Sequence, residues 1–427
     1  MAANPIPASN SETSHKHPLK RPKQTNNHHN DHHVRHEQPI IPGLPDHLAQ
    51  LCLSLVPPAL LFSVCHSWRR LIYSPDFPPF LSLYTILSST NTQHDNNNHA
   101  SSIHFFAYDP ISSRWDCLPP PSDDPPLRFL LRHPSFISRN LPIQSVSVSG
   151  LLVLLAATSD NFNPALSRPL VFNPISRKWS FGPPLDTPRR WCATGTTQGI
   201  VYVASGIGSH FSTDVAKSVE KWEPQRINKD GETQNQKENS DTNNSFSGWS
   251  WKWEKVKGLK DARFSRDAVD AVGWRGKLCM VNMKGDAAKE GIVYDTQKED
   301  WENMPKGMLA GWKGPVATMN EEVMYVVDER KGALRTYDPE RDKWENIIKS
   351  ERLRGAQQIA AEGGRVCVLC GGSDDGIVVV DMVSKPVRMR VIETPPGFEA
   401  VAVHILPRMS KPDAGFFPGS GSTSTSK

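Results

Sequence analysis

The chain has 427 residues, enough for two or three ordinary domains or for one large repeat structure plus an appendage. Its formal net charge of +4 is small for that length and does not support a nucleic-acid-binding surface. No apolar run is long enough for a transmembrane helix and the opening residues lack the apolar core of a secretory signal, so the seven scattered cysteines are expected as reduced thiols of a cytoplasmic or nuclear protein with no membrane partner.

Residues 1–39 are rich in Asn, His, Ser and Pro and nearly free of large apolar groups. Such a segment cannot offset the entropy lost on ordering, so a disordered tail is expected. His15, His17, His28, His29, His32, His33 and His36 fall here. Nothing in the stretch fixes the geometry a metal site needs, so they read as polar filler. The basic run "KRPK" (Lys20 to Lys23) is too short to identify an import signal and reads as a solvated charge cluster.

Residues 40–77 change character. Leu44, Leu48, Leu51 and Leu55 step by four, three and four, which places them on one helical face. Pro45 suits a helix start, and Pro57-Pro58 ends that helix. Ala59 to Cys65 and His66 to Ile72 form a second and a third short helix, with Trp68 and Leu71 assigned to internal packing. Three helices this short cannot bury all of their leucines against one another. Surplus apolar surface is therefore expected, to be covered by the following domain, by a partner, or by both.

From residue 78 to 407 the period becomes two. One unit recurs: an aromatic residue, Asp or Asn, usually Pro, then a polar stretch ending in Trp. It reads "YDPISSRW" at Tyr108–Trp115, "FNPISRKW" at Phe172–Trp179, "YDTQKEDW" at Tyr294–Trp301 and "YDPERDKW" at Tyr337–Trp344, always with a step of seven. In a fifth copy Trp222 takes the aromatic position and Trp253 the closing one, with a polar insertion of 24 residues between them. Two further strands precede each copy, as in "IQSVSVSGLLVLLAA" and "GPVATMNEEVMYVVDE". Four strands per roughly 40–50 residues is the period of a propeller blade. Five full units lie near 143–181, 190–257, 266–304, 312–347 and 354–391. Residues 81–118 supply three strands and residues 398–406 one more, so a sixth blade is expected to be closed by strands from both ends of the domain, leaving no long edge unpaired. Residues 408–427 read as a disordered tail.

The blade units resemble kelch repeats, with the Gly-Gly doublet complete only at Gly371-Gly372. The segment "LPDHLAQLCLSLVPPALLFSVCHSWRRLI" resembles an F-box: Leu-Pro, a leucine-stepped helix, a proline turn, then Val-Cys-x-x-Trp-Arg. The whole is similar to plant F-box/kelch-repeat proteins of the Skp-interacting-partner group. The resemblance implies a mainly β fold, a six-bladed kelch-type β-propeller preceded by a small α-helical F-box. It also implies a non-catalytic substrate-recognition subunit of an SCF-type ubiquitin ligase. In that role Leu44, Pro45, Leu48, Leu51, Leu55 and Leu60 would contact a Skp-type adaptor, and through it a cullin–RING ligase, while the propeller holds an unknown target protein. The alternative is a kelch interaction scaffold whose helices serve only internal packing.

The recurring Trp115, Trp179, Trp253, Trp301 and Trp344 share one position and therefore one structural job, packing between blades. Cys367 and Cys370 lie three apart on a strand and so point to opposite faces, which argues against a metal or redox pair. Loops joining second to third strands, and one blade to the next, open on one propeller face. Several are long: 89–102, 119–142, 158–168 and 207–216. Arg189, Arg190, Trp191, Arg266, Trp312, Lys313 and Arg354 belong to that face, and arginines with tryptophans suit the capture of an acidic protein segment. For any single one of them, ordinary solvated charge is the simpler reading. No cofactor, metal set, nucleophile elbow or phosphate loop is recognised. A copper oxidase on this fold would need a Tyr/His ligand set that the chain lacks.

Overall fold

The computed structural model describes residues 39–89, 103–121, 127–130, 143–157, 166–224, 252–265, 268–284, 287–371 and 376–411. The expected N-terminal tail, the 24-residue insertion, most of the loops 89–102, 119–142 and 158–168, Arg266 and residues 412–427 fall outside them.

Six four-stranded antiparallel sheets form the blades. From the axis outward, blade 1 comprises Phe398–Pro407, Leu81–Ser89, Ile103–Asp109 and Arg114–Cys117. Blade 2 comprises Gln144–Val148, Leu151–Ala156, Leu170–Asn173 and Lys178–Phe181. Blade 3 comprises Ala193–Thr197, Ile200–Ala204, Val219–Trp222 and Glu254–Lys255. Blade 4 comprises Ala268–Trp274, Lys277–Lys284, Ala287–Asp295 and Asp300–Asn303. Blade 5 comprises Val316–Met319, Val323–Asp328, Ala333–Asp338 and Lys343–Lys349. Blade 6 comprises Ala356–Glu362, Arg365–Cys370, Gly376–Asp381 and Arg388–Glu393. The innermost strands touch in a closed ring. The closing strand pairs with Leu81–Ser89 from Leu81↔Pro407 to Ser89↔Phe398, so the two ends of the propeller meet in one sheet as the strand count requires.

The apolar cores lie between blades rather than within them. Leu152 and Leu154 of blade 2 pack with Tyr84 and Ile86 of blade 1. Leu151 and Val153 pack on the other side with Val201 and Val203 of blade 3. Each middle strand is thus covered on both faces, which is why "LLVLLA" is apolar without alternation. Cys367 enters the core shared by blades 6 and 1, and Cys370 packs against the core shared by blades 5 and 6, on opposite faces as the spacing requires.

The repeated motif performs two jobs. The Asp or Asn caps the turn between third and fourth strands. Asp109 accepts from the Ile111 amide at 2.8 Å, Asn173 from Ile175 at 2.9 Å, Asp295 from Gln297 at 3.0 Å and Asp338 from Glu340 at 3.0 Å. The Trp lies tilted or edge-on against its own blade's aromatic and donates its indole N–H to a carbonyl of the preceding blade or linker. The acceptors are Glu393 (3.0 Å) for Trp115, Pro119 (2.7 Å) for Trp179 and Pro183 (3.1 Å) for Trp253. They are Lys257 (2.8 Å) for Trp301 and Met308 (3.0 Å) for Trp344. Trp222 and Trp253 lie 5.5 Å apart, so the interrupted fifth copy is assembled across its insertion.

Three helices precede the propeller: α1 (Asp46–Ser54), α2 (Pro58–Val64) and α3 (His66–Tyr73). Pro45 is the N-cap of α1, one residue before the helix proper, and Pro58 opens α2 instead of merely ending α1. Leu53, Leu61, Leu71, Ile72, Tyr73 and Phe77 are buried together, with Trp68, Phe80 and Ile111 packed against them. Ile111 belongs to the blade 1 turn, and the Tyr73 hydroxyl donates to Asp109 in that same turn. Strand direction places this turn on the face opposite the loops that join second to third strands.

The chain beyond the closing strand does not start a free tail at residue 408. Arg408, Met409 and Ser410 are buried. The Arg408 amide donates to the Phe80 carbonyl at 2.8 Å, and its Nη2 reaches the carbonyls of Ser74 (2.6 Å) and Phe77 (3.1 Å). Ser410 bonds to Pro174 at 3.3 Å and Lys411 to Tyr73 at 3.1 Å. This strap lies between the helices and blades 1 and 2. The polar composition of residues 408–427 hid it, because its anchoring rests mainly on main-chain bonds and one arginine, with Met409 as the one apolar side chain that enters the core between blades 1 and 2.

Candidate functional site

Two surfaces qualify, on opposite faces of the molecule. The first is the outer side of α1 and α2. Because α1 has only nine residues, it turns one side, Ala49 and Leu53, into the helical core and leaves the other outward. Leu48 is 42% exposed, Leu51 69%, Leu55 86%, Leu60 59% and Val64 58%. Leu44 is half-buried and Pro45 exposed at the start of the same face. Trp68 donates to the Ile40 carbonyl at 3.0 Å, which ties the incoming chain to α3 and confirms its internal role. Val64 was not singled out in the sequence, although it follows Leu60 by four residues and shares its side of α2. Among the described residues nothing covers these apolar side chains, and such exposure fits an interaction surface.

The second surface is the propeller face away from the helices. The expected ring of arginines and tryptophans is only partly displayed there. Trp312 is fully buried in the core between blades 4 and 5, with its indole N–H on Asp270 at 3.2 Å, so it is not a rim contact. Arg189 is also buried. Its guanidinium pairs with Glu220, and Nη1 also reaches the Ser205 carbonyl at 3.3 Å, which makes it an internal brace of blade 3. Trp312 is taken up by the apolar core between blades 4 and 5, and Arg189 by a buried carboxylate of a neighbouring strand. Arg190 and Trp191 are half-exposed, with the guanidinium 4.5 Å above the indole. Trp191 has a left-handed φ of +56°, which a bulky residue adopts only when its surroundings hold it there. Arg190 supplies part of that constraint through a two-way main-chain bridge to Ile207, 2.9 Å in each direction. Lys313 and Arg354 are exposed, and Arg354 pairs with Glu351 at 2.8 Å. Phe211, 53% exposed, projects from the 207–216 loop.

Between the faces runs an axial channel of about 1040 Å³, lined by Ser145, Ser147, Thr194, Thr196, Thr318 and Gln358 among others. Its only imidazole among the described residues, His404, sits between the Ser145 hydroxyl (2.8 Å) and the Ser147 hydroxyl (3.0 Å). Burial pushes its pKa down to about 4, so it is neutral and fully occupied as a hydrogen-bonding spacer. The thiols of Cys192 and Cys279 are pushed up, to about 11 and about 12, by burial, which is the environment of inert cysteines. The two serine hydroxyls face an imidazole whose lowered pKa makes it a weak base for activating them.

Fold and surfaces together define a class: a six-bladed propeller joined to a three-helix module whose outward apolar face is uncovered among the described residues. Similarity to known proteins narrows it. The chain is 50% identical over 380 residues to the F-box/kelch-repeat protein SKIP25 of Arabidopsis thaliana, covering 88% of this chain and 91% of that protein. It is 26% identical over 304 residues to the F-box protein AFR of the same plant, covering 68% and 69%. No protein-family model matches the chain. The chain belongs to the F-box/kelch-repeat proteins.

Proposed function

We propose that the protein is the substrate-recognition subunit of an SCF-type ubiquitin ligase. The F-box binds a Skp-type adaptor, which links it to a cullin–RING ligase, and the propeller binds the target protein. The chain contributes no chemistry of its own. It raises the effective concentration of the target beside the charged ubiquitin enzyme. The observation that carries this reading is the strip Leu48, Leu51, Leu55, Leu60 and Val64, left exposed after the F-box has packed on the propeller. Residues 40–77 act as the F-box and 78–407 as the target-binding propeller.

Tests of adaptor and target binding are separable because the two surfaces lie on opposite faces. Purified Skp-type adaptor should capture the full chain, and L48E/L51E should abolish capture while leaving the thermal transition of the propeller unchanged. Undiminished capture by that variant would refute the assigned surface. Failure of every Skp-type adaptor to bind the unaltered chain would favour the scaffold alternative.

A further inference from the structure

We propose that the strap 408–411 is a clasp. It holds the hinge between the three helices and the propeller in one conformation, so the angle between the leucine strip and the loop-bearing face is set from beyond the closing strand. Its use in presenting a target rests on the ligase reading above. The hinge is the stretch Ser74 to Phe80, "SPDFPPF". Pro75, Pro78 and Pro79 carry no N–H, so this stretch cannot pair its carbonyls in a ladder of its own. The strap supplies donors instead. The Arg408 amide reaches the Phe80 carbonyl at 2.8 Å, and Arg408 Nη2 reaches those of Ser74 at 2.6 Å and Phe77 at 3.1 Å. The Lys411 amide reaches the Tyr73 carbonyl at 3.1 Å, just before the hinge.

The strap is itself tied to two blades. It follows directly on the closing strand, whose Pro407 carbonyl accepts from the Tyr84 hydroxyl of blade 1 at 2.7 Å. Met409 packs in the core between blades 1 and 2, and the Ser410 amide donates to the Pro174 carbonyl of blade 2 at 3.3 Å. Lys411 Nζ meets Asp116 of blade 1 at 3.3 Å. Without the strap, the helical core reaches the propeller at blade 1, through Phe80, Ile111 and the Tyr73 bond to Asp109. A joint made at one blade can rock about it, and bonds to a second blade remove that freedom. Arg408 is the centre of the clasp. Its side chain is buried, lies over the rings of Tyr73 (5.9 Å) and Phe80 (5.8 Å), and pairs with no carboxylate among the described residues. The nearby Asp109 already accepts from Tyr73, Ser112 and the Ile111 amide. Carbonyls and aromatic faces therefore hold the charge. A guanidinium suits this place because its plane can cover the rings while Nη2 reaches two carbonyls, and an ammonium has no such plane.

The test reads the hinge directly, as the distance distribution between two spin labels on the full chain. One label sits on Cys52, exposed on α1, and the other on the cysteine introduced by K313C on the loop-bearing face, with the remaining exposed thiols removed by C65S and C117S. The unaltered hinge should give one narrow peak. R408A should widen the distribution roughly twofold or more, R408K should widen it less, and ending the chain after Lys411 should leave it narrow. Thermal unfolding of the propeller, and capture of the unlabelled chains by a Skp-type adaptor, should be the same in all four, which separates a loosened hinge from loss of either module. A distribution in R408A as narrow as in the unaltered chain would overturn the proposal, and so would equal widening when only the residues after Lys411 are removed. Should R408A unfold below the temperature of measurement, S410P/K411A carries the test, because it breaks the bonds to Pro174 and Asp116 and leaves Arg408 in place; an unwidened distribution there would overturn the proposal as well. Widening in R408A together with failure of every Skp-type adaptor to capture the unaltered chain would refute the ligase reading and leave the clasp standing.

Discussion

Truncating the two most exposed leucines of α1 and its cap, L51A/L55A, tests the adaptor surface in energetic terms. Full burial of a leucine is worth about 1.5–3 kcal/mol. Leu51 and Leu55 are 69% and 86% exposed in the free chain, so most of that sum is still to be gained on docking. Alanine keeps the first carbon, and the expected loss is about 2–4 kcal/mol for the pair, a weakening of roughly 30- to 800-fold in Kd. Folding should be nearly indifferent, because side chains that touch solvent on both sides of the unfolding equilibrium move stability by less than about 0.5 kcal/mol. Calorimetric titration with a purified Skp-type adaptor gives the affinity, and thermal unfolding gives the control. An affinity within about threefold of the unaltered chain, with unfolding unchanged, would refute the claim that burial of this strip drives association.

The R189M substitution should destabilise the propeller by about 3–5 kcal/mol, because Glu220 would remain buried and unpaired, and R189M/E220L should recover most of the loss in thermal unfolding. W344F should lower stability by about 1–2 kcal/mol through loss of the bond to the Met308 carbonyl, with no effect on adaptor affinity. His404 provides a pH signature. Its folded pKa is lowered to about 4, so the unfolded chain, with a pKa near 6.5, binds the proton first. Stability from this residue is complete above about pH 6.5 and falls as pH drops towards 4, by up to about 3 kcal/mol. Denaturant unfolding across that range should show the slope, and H404Q should flatten it; an unchanged slope would mean that other groups carry the acid sensitivity.

The blade repeat was legible because its determinants are local. An aromatic, an Asx cap and a Trp seven residues on specify one turn and one inter-blade latch, and the same spacing recurs where the same contacts recur. The Trp222–Trp253 pair could be recognised across its insertion for that reason. The shared exposed side of Leu48, Leu51 and Leu55 was equally legible, since leucines at steps of three and four share a side of any helix. Trp312, Arg189 and the strap at Arg408 were not. Trp312 is buried by a core that includes blade 4 and bonds Asp270, 42 residues away. Arg189 is paired with Glu220, 31 residues away. Arg408 is held by carbonyls more than 330 residues earlier.

From residue order alone come the six-blade count, the closure of the ring by strands from both ends and the leucine strip near the start. Each follows from a short-range period, and a short-range period survives in a one-dimensional string. Only the folded arrangement decides which arginines and tryptophans reach water and that the helices and the loop-bearing face lie on opposite sides of the propeller. Exposure and pairing are settled by whatever strand arrives next in space, and that neighbour comes from tens to hundreds of residues away in the chain.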